Sequence, residues 1–305
     1  MMNNYFLAFD VGGQFIKGGA FDHQGEFIDS SFSYYPAKSR KSADVILENL
    51  TNIICNQINR ILDENYFIKG IGFAFPGPFD YENGICYVKD VDKFNSIYGL
   101  NIQMEIWKRL MKKRVFNRIS QDAIFFFQNN VSMFAIGEWK NQGLDSKVNR
   151  GLFLTVGNGI GSAFLEDGRI ITDRYDVPPN GWIYNLTFYD SIIDDYISHR
   201  GIMRIARETE LPENIDEIIE KYQSGDKRAI ELFNRFGCYF SEVLTMINKE
   251  FKAEVIVIGG EIAKIVKYYE NSLVENLEDN TPPIMWSRQT ERCTFKGLFE
   301  YYKRY

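Results

Sequence analysis

The first 34 residues alternate between short apolar runs and polar turns. Residues 5–9 form an apolar run that leads into two adjacent glycines, and alternating apolar and polar positions follow as far as residue 34. Short runs of this kind, separated by glycine and polar residues, predict β-strands joined by tight turns. The chain is therefore predicted to open with an antiparallel meander of three strands.

A helix and a further strand are predicted next. Residues 43–64 repeat apolar positions at helical spacing behind Ser42, a typical N-cap residue. Residues 68–75 then form a short apolar strand that ends in a Pro-Gly-Pro sequence. The order of strand, strand, strand, helix and strand predicts a mixed sheet with a helical crossover. The connection over 79–101 is long for a compact domain, which favours a functional role.

The opening arrangement returns in the second half of the chain. Residues 152–156 predict a strand, a glycine-rich turn follows at 157–161, and a hairpin runs on to residue 171. This repeat suggests an internal duplication with one copy in each lobe. A buried strand at 255–258 ends in Gly-Gly before a predicted helix, an order that is typical of nucleotide sites in α/β folds.

The remaining helices and strands are predicted from the spacing of apolar residues. They are followed by the predicted boundary between the two lobes. A strand is predicted at 114–119, and residues 292–305 are predicted to form a short strand and helix that cover the second lobe. Helices are predicted at 102–113, 125–139, 191–196, 201–208, 213–222, 226–251 and 261–277, and the second of these is predicted to start near residues 128–130. The predicted domains are an N-terminal α/β lobe, residues 1–122, and a C-terminal α/β lobe, residues 123–305.

Composition narrows the class of function. The 305 residues are 45% hydrophobic and 25% charged, as in a globular protein with a substantial core, and the net charge is −6. The acidic balance lacks the basic footprint of a nucleic-acid binder. No apolar run approaches the roughly 18 residues that a membrane span needs. The first strand begins almost at once, which leaves no room for a signal peptide, so a cytoplasmic protein is predicted.

Cysteine and histidine are too sparse and scattered to predict metal chemistry. The cysteines stand far apart in the sequence without a CxxC pair, at positions 55, 86, 238 and 293, and are interpreted as reduced core thiols. His23 and His199 are the only histidines, so chemistry built on paired histidines is not predicted.

The first glycine turn is a candidate phosphate site. Gly12 and Gly13 allow close approach of the backbone to an anion, because no Cβ intervenes. Asp10, just before them, is placed to hold a magnesium ion directly or through water. The alternatives are an ordinary hairpin turn and a buried carboxylate that caps the turn.

Five segments, taken in order over nearly the whole chain, resemble the motifs of one family. Residues 10–14 resemble D-x-G-G-T, residues 72–78 resemble G-x-x-x-P-G-P, and residues 129–138 resemble N-D-x-N-x-x-x-x-G-E. Residues 155–161 resemble T-x-G-T-G-I-G, and residues 258–260 resemble the glycines on the adenosine side. The sequence thus resembles the ROK family of sugar kinases and sugar-responsive repressors, within the actin-like ATPase superfamily.

The resemblance implies a two-lobed actin-like ATPase fold of the ribonuclease H type, with a mixed sheet flanked by helices in each lobe. It implies ATP against the glycine turns, a hexose nearer the hinge, Mg²⁺ at Asp10, and a twofold homodimer. The implied nucleotide-binding residues are Asp10, Gly12, Gly13, Gln14, Gly157, Asn158, Gly159, Gly161, Gly259 and Gly260. The implied sugar-binding residues are Gly77, Asn129, Asn130, Trp182 and Asn185. The family's zinc-cluster motif is absent, so no structural zinc is predicted.

The chain departs from the family pattern where the chemistry would occur. The family's aspartate base falls on Asn130, and a carboxamide cannot accept the proton. Losing a positioned base typically lowers the rate ~10²–10⁴-fold. Asn129 and Asn130 would alternatively cap a helix. Asp122 is a weak candidate for a replacement base, because it precedes an apolar run.

Other positions of the motifs have also changed. Ser132 replaces the second asparagine, and Gln14 and Asn158 replace the threonines of the two phosphate motifs. The sugar-binding E-x-G-H aligns with residues 182–185, which lack the acidic residue and the histidine. Trp182 and Tyr184 would either stack on a pyranose or fill the pocket, and filling is favoured because the core is rich in aromatic residues.

Two functions follow from these observations. One is an ATP-dependent hexose or amino-sugar kinase, impaired by Asn130. The other is a catalytically silent regulator, or pseudokinase, that binds a sugar, a nucleotide or a partner protein. A DNA-binding repressor is disfavoured, because only four residues precede the first predicted strand and leave no room for a helix-turn-helix.

Overall fold

The computed structural model describes residues 3–89 and 93–305, which form two compact units. The first unit comprises Met1–Gly137 and Glu291–Tyr305, and the second comprises Glu138–Thr290. The predicted boundary after residue 122 falls inside a strand of the first unit. The C-terminal residues, which were expected to cover the second lobe, belong to the first unit.

The strands and helices are numbered here in chain order. The strands are β1 Asn3–Val11, β2 Phe15–Phe21, β3 Ser33–Pro36, β4 Tyr66–Phe75, β5 Phe79–Asp80, β6 Ile85–Cys86, β7 Ile119–Asn129, β8 Arg150–Val156, β9 Ile160–Glu166, β10 Arg169–Ile171, β11 Thr187–Phe188, β12 Ser191–Ile192, β13 Val255–Gly259 and β14 Ile284–Trp286. The α-helices are α1 Ala43–Asn59, α2 Ile102–Leu110, α3 Asn130–Asn141, α4 His199–Glu208, α5 Ile215–Gln223, α6 Lys227–Phe251, α7 Glu270–Glu275 and α8 Thr290–Tyr302. None of the helices in these described ranges is long and apolar enough to cross a membrane.

Each unit contains a mixed five-stranded sheet, as the fold class predicted. In the first unit the strand order is β3-β2-β1-β4-β7, with β1, β2 and β3 antiparallel and β1, β4 and β7 parallel. In the second unit the order is β10-β9-β8-β13-β14, with β8, β9 and β10 antiparallel and β8, β13 and β14 parallel. The two sheets share one plan, as expected for a duplicated unit.

Helices cover both faces of the first sheet. Leu7 and Phe9 of β1 lie in a buried cluster with the apolar side of α1, including Ile46 and Leu50. The opposite face carries Phe6, whose ring stacks on Tyr302 of α8 at 4.8 Å. Alternate β1 side chains therefore anchor helices on opposite faces, which is the period-2 pattern of a strand buried on both sides.

Several predicted elements differ from the structure. The helix predicted within 125–139, with its start near residues 128–130, begins at Asn130, so the predicted start is confirmed. The phenylalanines before it belong to β7 and pair with β4. Three consecutive buried phenylalanines carry no helical or strand period, so the sequence did not predict this strand. The strand predicted at 114–119 is a 3₁₀ helix, Arg114–Arg118, that leads into β7.

Shorter elements also differ from the prediction. Residues 191–196 form β12 and a 3₁₀ turn instead of a helix, and residues 261–277 form a 3₁₀ segment followed by α7. The C-terminal segment is helical without the expected strand. The predicted loop at 79–101 contains the β5–β6 hairpin, and its residues 90–92 lie outside the described chain.

Two glycines allow α3 and α8 to touch through their backbones. A Cβ built on Gly137 would lie 1.7 Å from the carbonyl oxygen of Cys293, and one built on Gly297 would lie 1.8 Å from that of Met133. Each helix thus contributes a glycine to contact the other. Gly137 belongs to the segment that resembles N-D-x-N-x-x-x-x-G-E, so this part of the motif serves packing.

We expect Gly137→Ala to destabilise the protein by about 1–3 kcal/mol, because the methyl group must displace a backbone carbonyl. The measurement is the free energy of unfolding in urea. Gly157→Ala is the control, since its Cβ would meet no atom within 4 Å. Equal free energies of unfolding for the two variants would contradict the close contact of the helices.

Candidate functional site

The ends of three parallel strands bring the predicted residues of the first unit together. In the register of the sheet, Asp10 of β1 lies opposite Ala74 of β4, and Ala74 lies opposite Gln128 of β7. Neighbouring strands are about 4.8 Å apart, so Asp10 and Gln128 are separated by roughly 10 Å. The first glycine turn, the Pro-Gly-Pro segment and the asparagine pair therefore follow strands that end at one edge of the sheet, where ligands bind in α/β folds.

The first glycine turn is tight and leaves backbone donors available. The N–H of Gly12 donates to Phe15 O at 2.9 Å, and the carbonyl of Gly13 accepts from Ser39 Oγ at 2.5 Å. Within the described chain, the N–H groups of Gly13 and Gln14 have no hydrogen-bond partner. Adjacent free amides in a turn suit an anion such as a phosphate group.

Asp10 is paired with a lysine beside this turn. Lys17, its cross-strand neighbour in β2, places Nζ 3.7 Å from Asp10 Oδ2 and 3.0 Å from Glu291 Oε1. Burial raises the pKa of the Asp10 carboxyl, against the opposing effect of Lys17. Burial also acts to lower the pKa of Lys17, but the two carboxylates outweigh it and hold that pKa above its usual value.

This arrangement does not fit the predicted magnesium role of Asp10. Mg²⁺ needs carboxylate oxygens at about 2.0–2.1 Å and room for its bound waters. The Asp10 carboxylate, only 18% exposed, already faces an ammonium group. Over residues 3–89 and 93–305, no three His, Cys, Asp or Glu side chains are grouped to hold a metal ion.

The asparagine pair forms the start of α3. Asn129 Oδ1 accepts from the N–H groups of Val131 at 2.9 Å and Ser132 at 3.1 Å, and Asn129 Nδ2 donates to the Tyr81 hydroxyl at 3.1 Å. Asn130 Oδ1 is 3.0 Å from the same Val131 N–H. Burial raises the pKa of Tyr81, so its hydroxyl group stays protonated. That hydroxyl group donates a hydrogen bond to Phe75 O. At the start of α3, both polar side-chain atoms of Asn129 therefore have partners among the described residues, whereas only Oδ1 of Asn130 does.

Gly77 lies at the same edge as these asparagines, after the end of β4. It is half-buried and precedes Pro78 through a cis peptide bond. Pro78 O accepts from the Tyr87 N–H at 3.0 Å, which ties the segment to the β5–β6 hairpin. Gly77 thus follows the end of β4 at the edge where the asparagine pair follows β7, since Phe75 pairs with Asn129.

Asp122 is remote from that edge. It is exposed near the opposite end of β7, about 23 Å from Asn129 at the usual rise of a strand. Lys69 Nζ donates to both of its oxygens, at 2.7 and 2.8 Å, and Ser120 Oγ donates to one of them. These bonds, with the Lys69 bonds foremost, lower the pKa of Asp122 to about 2. Such a carboxylate is a poor proton acceptor near neutral pH.

The second unit brings its two predicted glycine segments together. Gly259, the last residue of β13, pairs with Thr155 of β8, so both strands end at one edge. Gly260 has a φ of +95°, and its Cβ would lie 2.4 Å from Val156 O. A side chain is excluded there by both conformation and space. The 157–161 turn follows directly, and its Gly157 N–H donates to Gly159 O at 2.9 Å.

An acidic residue that the sequence analysis missed supports this second turn. Asp194 is buried, and its Oδ1 accepts the Ile160 N–H at 2.6 Å while its Oδ2 pairs with Arg200. The His199 N–H, at the start of α4, donates to Gly157 O at 2.8 Å. The sequence predicted a helix over residues 191–196 and so gave Asp194 no role. The signal that could have identified it is the acidic pair at residues 194 and 195, shortly before the Ser-His-Arg sequence at the start of α4.

The predicted sugar residues of the second unit have different environments. Trp182 is half-buried with its ring centroid 6.0 Å from that of Tyr184, which itself packs against the core. Between them, Ile183 is fully buried, and its N–H donates to Ser162 Oγ at 3.1 Å. Asn185 is exposed, as is Asn158 in the glycine turn. Packing thus accounts for Tyr184 more fully than for Trp182.

A cavity of about 450 Å³ in the first unit contains none of the predicted site residues. It lies between α2, β7 and the β5–β6 hairpin, and its lining includes Trp107, Phe125, Gln103 and Glu82. It is therefore separate from the strand edge described above.

Comparison with known proteins identifies the relatives of this chain. The family model described as "ROK family" matches residues 189–287. The glucokinase of Halalkalibacterium halodurans is 22% identical, over 87% of this chain and 82% of that protein. The N-acetyl-D-glucosamine kinase of Aliivibrio fischeri is also 22% identical, over 87% and 86%. The crystal structure of a glucokinase from Parabacteroides distasonis is 20% identical and superposes with a TM-score of 0.75, over 100% of this chain and 98% of that one.

These findings confirm the resemblance and the two-lobed actin-like α/β fold. The matched range 189–287 includes Gly259 and Gly260, whereas the segments from residue 10 to residue 161 lie outside it. The roles of the individual site residues remain predictions.

We expect Asn129→Ala to lower the free energy of unfolding by about 1 kcal/mol, because the start of α3 loses its cap. Asn130→Ala is the matched variant and should have a smaller effect, since the Val131 N–H keeps Asn129 as an acceptor. Urea unfolding of both proteins measures the difference. A larger loss of stability in Asn130→Ala would contradict this assignment of the cap.

Proposed function

We propose that this chain, which belongs to the ROK family, binds a hexose or amino sugar together with a nucleotide and transfers phosphate slowly or not at all. The sugar-kinase relatives support the substrate class, because they span most of the chain. The two glycine turns support a nucleotide, with ATP as the natural candidate. The proposed setting is the cytoplasm, and the proposed assembly is a homodimer.

The observation that carries this proposal is the amide at position 130. The family base would take the proton from the sugar hydroxyl as the phosphoryl group arrives, and it must lie within hydrogen-bond reach of that hydroxyl. Asn130 follows β7 at the edge where the first glycine turn also lies, but its side chain has no group that accepts a proton at physiological pH. Losing the base corresponds to about 3–5 kcal/mol of barrier.

Binding does not require a base at this position. The Asn130 amide can still exchange hydrogen bonds with a sugar hydroxyl, since Nδ2 is a donor and Oδ1 has further acceptor capacity. Phosphoryl transfer depends mainly on positioning and electrostatics, which leaves room for residual turnover. The proposal therefore separates ligand binding, which the site retains, from catalysis, which it loses.

A second candidate function is a fully silent sugar- or nucleotide-responsive regulator. The pairing of Asp10 with Lys17 favours it, because the carboxylate expected to serve a metal is already engaged. In that case the sugar and the nucleotide would act only by shifting the protein between states of different partner affinity.

We expect Asn130→Asp to raise sugar-dependent ATP turnover over the wild type by ~10²–10⁴-fold, because it restores a proton acceptor at the base position. A coupled ADP-release assay over a panel of hexoses and amino sugars measures it. Asp122→Asn is the matched control and should leave any wild-type turnover unchanged, since Asp122 lies far along β7.

The two candidate functions give different outcomes. No turnover in either protein, with a rise in melting temperature on adding nucleotide or sugar, would favour the silent regulator. Turnover in the wild type equal to that of Asn130→Asp would contradict the proposed impairment.

A further inference from the structure

Lys17 lies between two carboxylates that belong to distant parts of the chain. Asp10 ends the apolar run of β1, and Glu291 lies in the first turn of α8. The ammonium nitrogen is 3.0 Å from Glu291 Oε1 and 3.7 Å from Asp10 Oδ2. All three residues belong to the first unit. Their side chains are mostly buried, with exposed fractions of 22% for Lys17, 18% for Asp10 and 20% for Glu291.

The arrangement resembles a small cation site in which the cation is part of the protein. Two carboxylates close to one point attract a cation strongly where water is largely excluded. A divalent ion would take oxygen ligands from such a pair, and here the lysine ammonium supplies the positive charge instead. Because Lys17 is the direct cross-strand neighbour of Asp10, the backbone of the β1–β2 hairpin holds it there.

We propose that Lys17 is a built-in replacement for a divalent metal ion at Asp10, and that the first glycine turn therefore receives an anionic ligand without a metal bound to Asp10. Phosphate oxygens would meet the free amides of Gly13 and Gln14, and Lys17, 3.7 Å from Asp10 Oδ2, offsets part of the Asp10 charge that would repel them. This inference deepens the proposed function, but its test uses the metal ion alone and needs neither nucleotide nor turnover.

The test compares Mn²⁺ binding by the wild type, Lys17→Met and Lys17→Arg. Electron paramagnetic resonance reports the loss of the free-ion signal, and the melting temperature is recorded with Mg²⁺ and with EDTA. We expect no bound Mn²⁺ and no metal-dependent shift in the wild type or in Lys17→Arg, which keeps the cation. Lys17→Met should bind Mn²⁺ and gain melting temperature in Mg²⁺, because the ammonium group that lies between the Asp10 and Glu291 carboxylates has been removed.

Further variants make the result specific to these carboxylates. The metal site of Lys17→Met should disappear when Glu291→Gln is added. Lys17→Gln replaces Lys17→Met if the latter does not fold. Two results would overturn the inference: Mn²⁺ bound by the wild type and lost in Asp10→Asn, or a folded Lys17→Met or Lys17→Gln that binds no metal.

The nucleotide is then examined separately. Under the proposed function, ADP should raise the wild-type melting temperature equally in Mg²⁺ and in EDTA. No shift in either condition would count against nucleotide binding while leaving the metal result in place. A shift that requires Mg²⁺ and is lost in Asp10→Asn would overturn the inference about Lys17.

Discussion

The parallel register of β1, β4 and β7 is the constraint on which the first unit depends. It aligns Asp10, Ala74 and Gln128 across the sheet, so the segments that follow these strands must emerge at the same edge. Burial on both faces fixes this register, because a slip of one residue would exchange the rings that face α1 for those that face α8. The stability of the core and the geometry of the candidate site therefore have the same origin.

The second unit obtains its site from the same plan with different residues. Its parallel strands β8 and β13 end together, and the close approach of Gly260 to Val156 O brings the two glycine segments into contact. A carboxylate lies beside each glycine turn: the half-buried Asp10 is paired with Lys17, and the buried Asp194 is paired with Arg200. In both units, therefore, a negative charge next to a candidate phosphate turn is paired with a cation of the same unit.

Local signals in the sequence predicted the glycine turns, the mixed sheets and the asparagine pair at a helix start. These features depend on neighbouring residues, such as Gly12 with Phe15 or Asn129 with Ser132. The features that escaped prediction depend on contacts between distant residues. Lys17 and Glu291 are 274 positions apart, so their pairing leaves no local trace. The strand before α3 escaped prediction for the same reason, since the pairing with β4 that makes residues 124–129 part of β7 involves residues far away in the sequence.

The segment from Asn129 to Glu138 separates what the fold requires from what the chemistry requires. A side chain at Gly137 would meet the carbonyl of Cys293, and Glu138 is buried and accepts a hydrogen bond from Gln142. Asn129 supplies the helix cap. Position 130 has no comparable structural demand, because its one local contact duplicates that of Asn129. An aspartate would also suit the start of α3, where a negative charge is stabilised, so the fold does not require an amide at position 130. Asn129 and Gly137 thus serve the capping of α3 and its packing against α8, whereas the proposed loss of catalysis concerns position 130 alone.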